Sequence, residues 1–209
     1  MEKTYFDELN NTINNEYIKK MEEYASEFDV PIIQKEGLKC LLLATKLKNA
    51  KNILEIGTAI GYSASCMALL SDDIYVDTIE RDQKMYNEAI SNINKLNLQK
   101  RINVILADAL ELDENNLKED YDLIFIDAAK SQYIKFFEKY EKRLKKGGII
   151  FSDNLLFHGL VENRTGKESR SLNQMLKKIE AFNEWLAKNE NYDTTFLRVG
   201  DGIAISIKK

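Results

Sequence analysis

Hydrophobic residues follow two patterns along the chain: some recur with helical spacing, and others form short uninterrupted runs. From Tyr5 to Phe28 apolar side chains return every three or four residues, which predicts a helical region that Pro31 ends. A second helical pattern runs from Lys35 to about Lys48. Strands at 52–56, 74–80, 101–106, 122–127 and 148–152 then alternate with helices at 61–70, 82–96 and 131–145. Strands separated by helices indicate βαβ units and a mostly parallel sheet.

The C-terminal part departs from this alternation. A helix is predicted from about Arg170 to Lys188, and two strands at 194–199 and 203–207 flank a glycine-rich turn at 200–202. The pattern therefore predicts an α/β fold: a mostly parallel seven-stranded sheet with a C-terminal antiparallel hairpin and extra N-terminal helices. At 209 residues the chain suits a single domain over 1–209, with 1–50 as its N-terminal helical segment.

Composition narrows the environment in which we expect the protein. Hydrophobic residues make up 44% of the chain, which is enough for a packed core. Neither a membrane-length apolar run nor the apolar core of a signal peptide is present, so no membrane association is expected. Cys40 and Cys66 lie in apolar helical stretches without metal-binding spacing, which favours reduced thiols and a cytoplasmic location.

The charges are unevenly distributed along the chain. The net charge is −4, yet residues 155–178 carry five basic and only two acidic side chains. The basic ones are Arg164, Lys167, Arg170, Lys177 and Lys178. This basic segment either binds an anionic partner or is a solvated loop and helix face, and the count alone leaves both interpretations open.

A glycine-containing turn follows the first predicted strand. Gly57 and Gly61 enclose this turn before a helix begins, and Glu80 ends the next strand, where an acid can accept ribose hydroxyls. The dinucleotide fingerprint needs a middle glycine, but Ala59 stands there. A cofactor with ribose and adenine but without pyrophosphate fits better, which points to S-adenosylmethionine. A nicotinamide enzyme and a binding-only fold remain alternatives.

Two strands end in acidic residues. Asp127 follows the run 123–126, and Asp153 with Asn154 follows 148–152. The carboxyl ends of parallel strands bind ligands, and two carboxylates with an amide oxygen suit Mg²⁺. Zn²⁺ fits less well because His158 is the only histidine. Each acid alone is also typical of a helix cap or a strand end.

Lys130 adds a reacting group to this edge of the sheet. It lies three residues after Asp127, so one helical turn would bring its ammonium group over the site. There it would accept a proton or stabilise an oxyanion. A divalent cation would lower the pKa of a substrate hydroxyl and hold two vicinal oxygens, so that the oxyanion attacks a methyl donor.

Three motifs together carry a family resemblance. They are Glu55-Ile-Gly-Thr-Ala-Ile-Gly-Tyr-Ser63, Asp127-Ala-Ala-Lys130-Ser-Gln-Tyr133 and Ser152-Asp153-Asn154-Leu-Leu-Phe-His-Gly159. They resemble the metal-dependent O-methyltransferases of the catechol and caffeoyl-coenzyme A type, which have a Rossmann-like class I methyltransferase fold. Within that family the chain is most similar to the bacterial tRNA 5-hydroxyuridine methyltransferases.

The resemblance implies a role for each matching residue. Metal ligation would come from Asp127, Asp153 and Asn154, and Lys130 would be catalytic. Cofactor contacts would come from Ile33, Glu55, Gly57, Ser63, Glu80, Asp108, Ala109 and Asp127. The resemblance also implies a homodimer, with the N-terminal helix as a candidate contact surface.

The implied substrate is a nucleoside in tRNA. Methylation would convert 5-hydroxyuridine to 5-methoxyuridine at the wobble position, and the 5-hydroxyl and 4-oxo groups form a vicinal oxygen pair as a catechol does. Arg164, Lys167 and Arg170 would then meet phosphates of the anticodon region. The alternative is a small catechol or hydroxylated phenol. Ala129 departs from the acid common in plant members, so their substrate range does not transfer.

Overall fold

A computed structural model describes residues 13–209 and contains one seven-stranded sheet. The strands are β1 (Asn52–Ile56), β2 (Tyr75–Glu80), β3 (Ile102–Leu106), β4 (Tyr121–Ile126), β5 (Leu144–Ser152), β6 (Tyr192–Leu197) and β7 (Ile203–Lys208). Their order is β3-β2-β1-β4-β5-β7-β6. The first five strands run parallel, and β7 pairs antiparallel with both β5 and β6. This confirms the predicted α/β fold with its C-terminal hairpin.

Six α-helices accompany the sheet in the described residues. They are α1 (Glu16–Glu27), α2 (Lys35–Lys48), α3 (Tyr62–Ala68), α4 (Gln83–Lys95), α5 (Tyr133–Tyr140) and α6 (Arg170–Ala187). Short 3-10 turns span Glu114–Asn116, Lys130–Gln132 and Glu141–Arg143. The part of the predicted N-terminal helix from Tyr5 to residue 12 lies outside the described residues. Among residues 13–209, no helix is long and apolar enough to span a membrane.

The central strands are buried on both faces. Successive side chains of a strand point to opposite sides, so Ile53 and Phe125 enter one core cluster while Leu54 and Ile124 enter the other. Helices α1 to α4 contribute to the first cluster, and α5 and α6 contribute to the second. Cover on both faces explains why 123–126 of β4 is a continuous apolar run and why β1, apart from Asn52 and the buried Glu55, is apolar rather than alternating.

The predicted boundary between the helix before the fifth strand and that strand is wrong. The sequence predicted a helix over 131–145 and a strand over 148–152, but α5 ends at Tyr140 and β5 already begins at Leu144. The pairing of β5 with β4 shifts register near its start, and Gly147 adopts a φ of 70° there. Glycine permits this left-handed conformation, and the polar residues around it hide the extra length of strand from a hydrophobicity pattern.

A buried carboxyl group joins β1, β2 and α3. Glu55 is fully buried, and its two oxygens accept hydrogen bonds of 2.5 Å from Ser63 Oγ and from Thr78 Oγ1. Burial raises the pKa of Glu55 to about 8; the bonds from Ser63 and Thr78 oppose this shift, and the charges of Asp127 and Glu80 add to it. The network fixes the start of α3 against the sheet.

Glu55 should therefore make folding stability depend on pH. Above its unfolded pKa, near 4.5, the unfolded chain releases this proton while the native state keeps it until about pH 8. Stability from this group is consequently lost as pH rises through that window, by a few kcal/mol in order of magnitude. Urea unfolding at pH 5 and pH 8.5 should show Glu55→Gln gaining stability relative to wild type at the higher pH.

The exposed Glu190 offers a matched control for this experiment. Glu190→Gln should follow the wild-type pH dependence. Equal pH dependence of wild type and Glu55→Gln would contradict the assignment of a buried, protonated Glu55.

Candidate active site

The candidate site is a cavity of about 510 Å³ at the C-terminal ends of β1 to β4. Its wall includes eight of the residues singled out from the sequence: Ile33, Gly57, Ser63, Glu80, Asp108, Ala109, Asp127 and Lys130. Glu55 does not line the cavity, because its side chain is enclosed by Ser63 and Thr78. The volume and the mixed polar and apolar wall suit a nucleoside-sized ligand.

The turns after β1 and β4 touch through their backbones. A Cβ added to Gly57 would lie 2.1 Å from the carbonyl oxygen of Asp127, and Gly57 has a φ of 104°. Only glycine fits such an approach. Asp127 N in turn donates to Ile56 O at 3.0 Å. The cavity wall formed by the β1 turn is thereby locked to the first of the acidic residues.

Glu80 lies at the cavity with both oxygens engaged. Its Oε2 accepts from Ala59 N and its Oε1 from Asp82 N, each at 2.8 Å. These bonds fix the carboxylate, and each oxygen retains a further lone pair for a ligand hydroxyl. Ala59, where a dinucleotide site would have glycine, adopts a φ of 47°. The left-handed turn is thus kept without glycine, and its amide is directed to Glu80.

The three predicted metal ligands converge. Asn154 Nδ2 lies 3.1 Å from Asp127 Oδ1 and 3.2 Å from Asp153 Oδ2. Asp153 is 2% exposed, and its Oδ1 has no hydrogen-bond partner among the described residues. Burial, with the charge of Asp127 next in effect, raises the pKa of Asp153 to about 7. Within residues 13–209, no group of three or more His, Cys, Asp or Glu side chains is placed to hold a metal. The third donor of the set described here is the amide of Asn154.

These residues fit a hard divalent cation. Two carboxylates and one amide oxygen form an all-oxygen donor set of the kind Mg²⁺ prefers. The amide of Asn154 now donates to both carboxylates, and half a turn about its last torsion exchanges nitrogen for oxygen. Asp153 Oδ1, buried without a partner, is an atom whose burial a cation would compensate.

Lys130 is held between the acids and a buried tyrosine. Its Nζ lies 2.7 Å from Asp127 Oδ1 and 3.0 Å from the hydroxyl of Tyr133, which donates to Asp153 O at 3.0 Å. Burial alone would lower the pKa of Lys130, but the charge of Asp127 and the hydrogen bonds to Asp127 and to the Tyr133 hydroxyl raise it above its usual value. While paired with Asp127, Lys130 is therefore a protonated donor suited to stabilising an oxyanion rather than a base.

No role was predicted for Tyr133 beyond its place in the motif that begins at Asp127. The structure gives it a positioning contact, since its hydroxyl joins Lys130 to the backbone of Asp153. Its spacing in the sequence, three residues after Lys130, places both groups on one side of a helical turn and was the available signal.

Asp201 also belongs to this region, although no sequence pattern predicted its contact with the loop that begins at Asn154. The loop that begins at Asn154 contains three non-glycine residues with positive φ: Asn154 (64°), Phe157 (45°) and His158 (56°). Asp201, in the turn between β6 and β7, accepts from His158 N at 2.5 Å with Oδ1 and from Leu156 N at 2.8 Å with its carbonyl. The hairpin turn thus clamps the strained loop that follows the acidic pair.

The basic segment does not behave as one cationic face. Arg164 Nη2 pairs with Glu180 Oε1 at 2.5 Å, so its charge is compensated within the protein. Lys167 and Arg170 are exposed. His158 also extends to solvent, with its Nδ1 3.8 Å from Asp201 Oδ2.

Known proteins are similar to this chain in sequence. Tapetum-specific methyltransferase 1 of Arabidopsis thaliana is 34% identical over 184 residues, which cover 86% of this chain and 78% of that protein. Caffeoyl-CoA O-methyltransferase of Populus kitakamiensis is 33% identical over 186 residues, with the same coverage of each.

Solved structures extend the similarity to the whole fold. A Staphylococcus aureus protein, provisionally described as a caffeoyl-CoA O-methyltransferase, is 44% identical with a TM-score of 0.92 and 98% coverage of both chains. A Bacillus cereus O-methyltransferase solved in complex with SAH is 29% identical, with a TM-score of 0.80 and coverage of 94% and 92%. The O-methyltransferase family model matches residues 3–209, which confirms the resemblance seen in the motifs. The chain belongs to the O-methyltransferase family.

Proposed function

We propose that this protein is an S-adenosylmethionine- and Mg²⁺-dependent O-methyltransferase that converts 5-hydroxyuridine to 5-methoxyuridine at the wobble position of tRNA. The observation that carries the chemistry is the position of Asp127, which lines the nucleoside-sized cavity and also contacts Asn154 and Lys130. A methyl donor in the cavity and an oxygen acceptor at the acidic pair would therefore be neighbours.

The cavity supports the cofactor assignment. The carboxylate of Glu80 is aligned to accept two ribose hydroxyls, and Ile33 offers an apolar surface to the bound group. Asp108 and Asp127 add negative potential to the same wall, which favours a cationic sulfonium ligand. The SAH bound to the Bacillus cereus relative agrees with this choice.

The acidic pair and Lys130 support the transfer step. Asp127, Asp153 and Asn154 would hold Mg²⁺, which when bound would lower the pKa of the acceptor hydroxyl so that its proton is lost to solvent. The acceptor oxygen would take the methyl group of S-adenosylmethionine, and S-adenosylhomocysteine would leave. The Lys130 ammonium would stabilise the developing oxyanion, and Tyr133 keeps that ammonium in place. The buried surroundings limit competing water.

The identity of the methyl acceptor as tRNA is the more specific part of the proposal. Arg164, Lys167 and Arg170 were expected to meet anticodon phosphates; with Arg164 paired to Glu180, that role falls to the exposed Lys167 and Arg170. The second candidate is a small catechol or hydroxylated phenol. The 33% identity to a caffeoyl-CoA O-methyltransferase supports this alternative, whereas Ala129, which stands where plant members often have an acid, counts against it.

Two accompanying predictions concern the protein's state. The resemblance predicts a homodimer, which light scattering of the purified protein would test.

The free thiols of Cys40 and Cys66 agree with the predicted cytoplasmic location, which remains a proposal.

Asp153→Asn should separate metal-dependent turnover from cofactor binding. Removing one carboxylate charge should lower methyl transfer by about 100-fold or more, because cation binding is weakened. Affinity for S-adenosylmethionine, measured by calorimetry, should stay within about threefold because Asp153 is absent from the cavity wall. Asp29→Asn, at an exposed position, is the matched control. Full turnover of the wild type after chelation, with no response to added Mg²⁺, would exclude the metal role.

The substrate is tested by nucleoside mass spectrometry of tRNA from cells lacking the gene. We expect 5-hydroxyuridine to accumulate at the expense of 5-methoxyuridine, and the purified enzyme to restore the methylated nucleoside. An unchanged nucleoside profile, together with methylation of a catechol by the purified enzyme, would favour the small-phenol alternative.

A further inference from the structure

A second cavity, of about 350 Å³, opens beside the active site. Its walls are the 3-10 turn Lys130–Gln132, the start of α5 and the outer face of α6. Lys130 and Gln132 line both this cavity and the larger one, so the two are adjacent and share a wall. We refer to the smaller cavity as the lysine groove. Any acceptor that reaches Lys130 would therefore have the lysine groove next to it.

The lysine groove is cationic without compensation. Lys135 projects from α5 and Lys178 from α6, both side chains are exposed, and neither forms an ion pair or hydrogen bond with another described residue. Among the described residues that line the groove, none is acidic. Two positive charges from facing walls, without a carboxylate between them, attract an anion.

Lys139 and Lys145, by contrast, already have partners within the protein. Lys139, one turn further along α5, donates to the carbonyl oxygens of Leu110 and Leu112 at 2.7 Å. Lys145 pairs with Asp122 at 2.7 Å. Of the two lysines on α5, Lys135 is therefore the one whose charge is left uncompensated.

We propose that the lysine groove is a phosphate-binding subsite, in which Lys135 and Lys178 hold a phosphate of the methyl acceptor beside its reacting oxygen. This inference rests on the proposed function, because it assumes that the acceptor oxygen reaches Lys130. Ser131 and Gln132 add polar groups to the same wall. Lysine serves as a point charge for phosphate, which requires no fixed fork geometry.

The phosphate can come from two sources with the same chemistry. It is either a phosphodiester next to the modified nucleotide or a phosphate of a coenzyme A thioester. The exposed Arg170 and Lys177 continue the basic surface along α6, and Arg170 lies about 12 Å from Lys178 along the helix. That extended surface fits a polynucleotide, which carries several phosphates.

The test compares acceptors that differ in phosphate. Wild type and the Lys135→Gln/Lys178→Gln double variant are assayed with 5-hydroxyuridine nucleoside, an anticodon stem-loop RNA containing it, caffeate and caffeoyl-CoA. We expect the double variant to raise KM for the phosphate-bearing acceptor by about tenfold at low salt and to flatten its salt dependence. The phosphate-free counterpart should be unchanged. Lys142→Gln/Lys188→Gln, at exposed positions away from the groove, removes the same charge as a control.

Each outcome separates this inference from the proposed function. A loss confined to the RNA assigns the phosphate to a polynucleotide, and a loss confined to caffeoyl-CoA assigns it to the coenzyme and rejects the tRNA substrate while the subsite stands. Unchanged KM for both phosphate-bearing acceptors overturns the subsite, even if wild type methylates RNA efficiently. The subsite is also overturned if the wild-type KM for the stem-loop RNA is no lower than that for the nucleoside and the KM for caffeoyl-CoA is no lower than that for caffeate.

Discussion

The backbone contact between Gly57 and Asp127 fixes the distance between the two halves of the candidate site. The turn after β1 has no room for a side chain at Gly57, because any Cβ would overlap the Asp127 carbonyl. The amide of Asp127 is bonded to Ile56, so the contact is held from both sides. A cavity wall and an acid from neighbouring parallel strands consequently move as one unit, which a methyl transfer between them requires.

Buried polar side chains that do not themselves bind the ligand hold the residues of the candidate site in place. Glu55 joins β1 to Thr78 and Ser63 without entering the cavity, and Tyr133 joins Lys130 to the backbone beside the acidic pair. Burying such groups costs free energy unless each has a partner, and most of these do. Asp153 Oδ1 is an exception among the described residues, and a cation is the partner its position suits.

The sequence predicted what depends on local pattern and failed where distant segments meet. Apolar runs located all seven strands, and the residues at strand ends located Glu80, Asp127 and Asp153, because strand direction alone brings those ends to one edge. The clamp formed by Asp201 and the ion pair of Arg164 with Glu180 depend on tertiary packing, and a list of charges does not reveal them. The early start of β5 was missed because two glycines and two lysines interrupt its apolar pattern.

In the proposed function, Asp127 lines the cofactor cavity and is also a ligand of the cation. Anomalous diffraction from crystals grown with Mn²⁺ and SAH tests it most directly, since Mn²⁺ substitutes for Mg²⁺ at oxygen sites. We expect SAH in the cavity lined by Gly57 and Glu80 and a metal peak within about 2.5 Å of oxygens from Asp127, Asp153 and Asn154. An SAH-occupied cavity with no metal peak at those three side chains would contradict it.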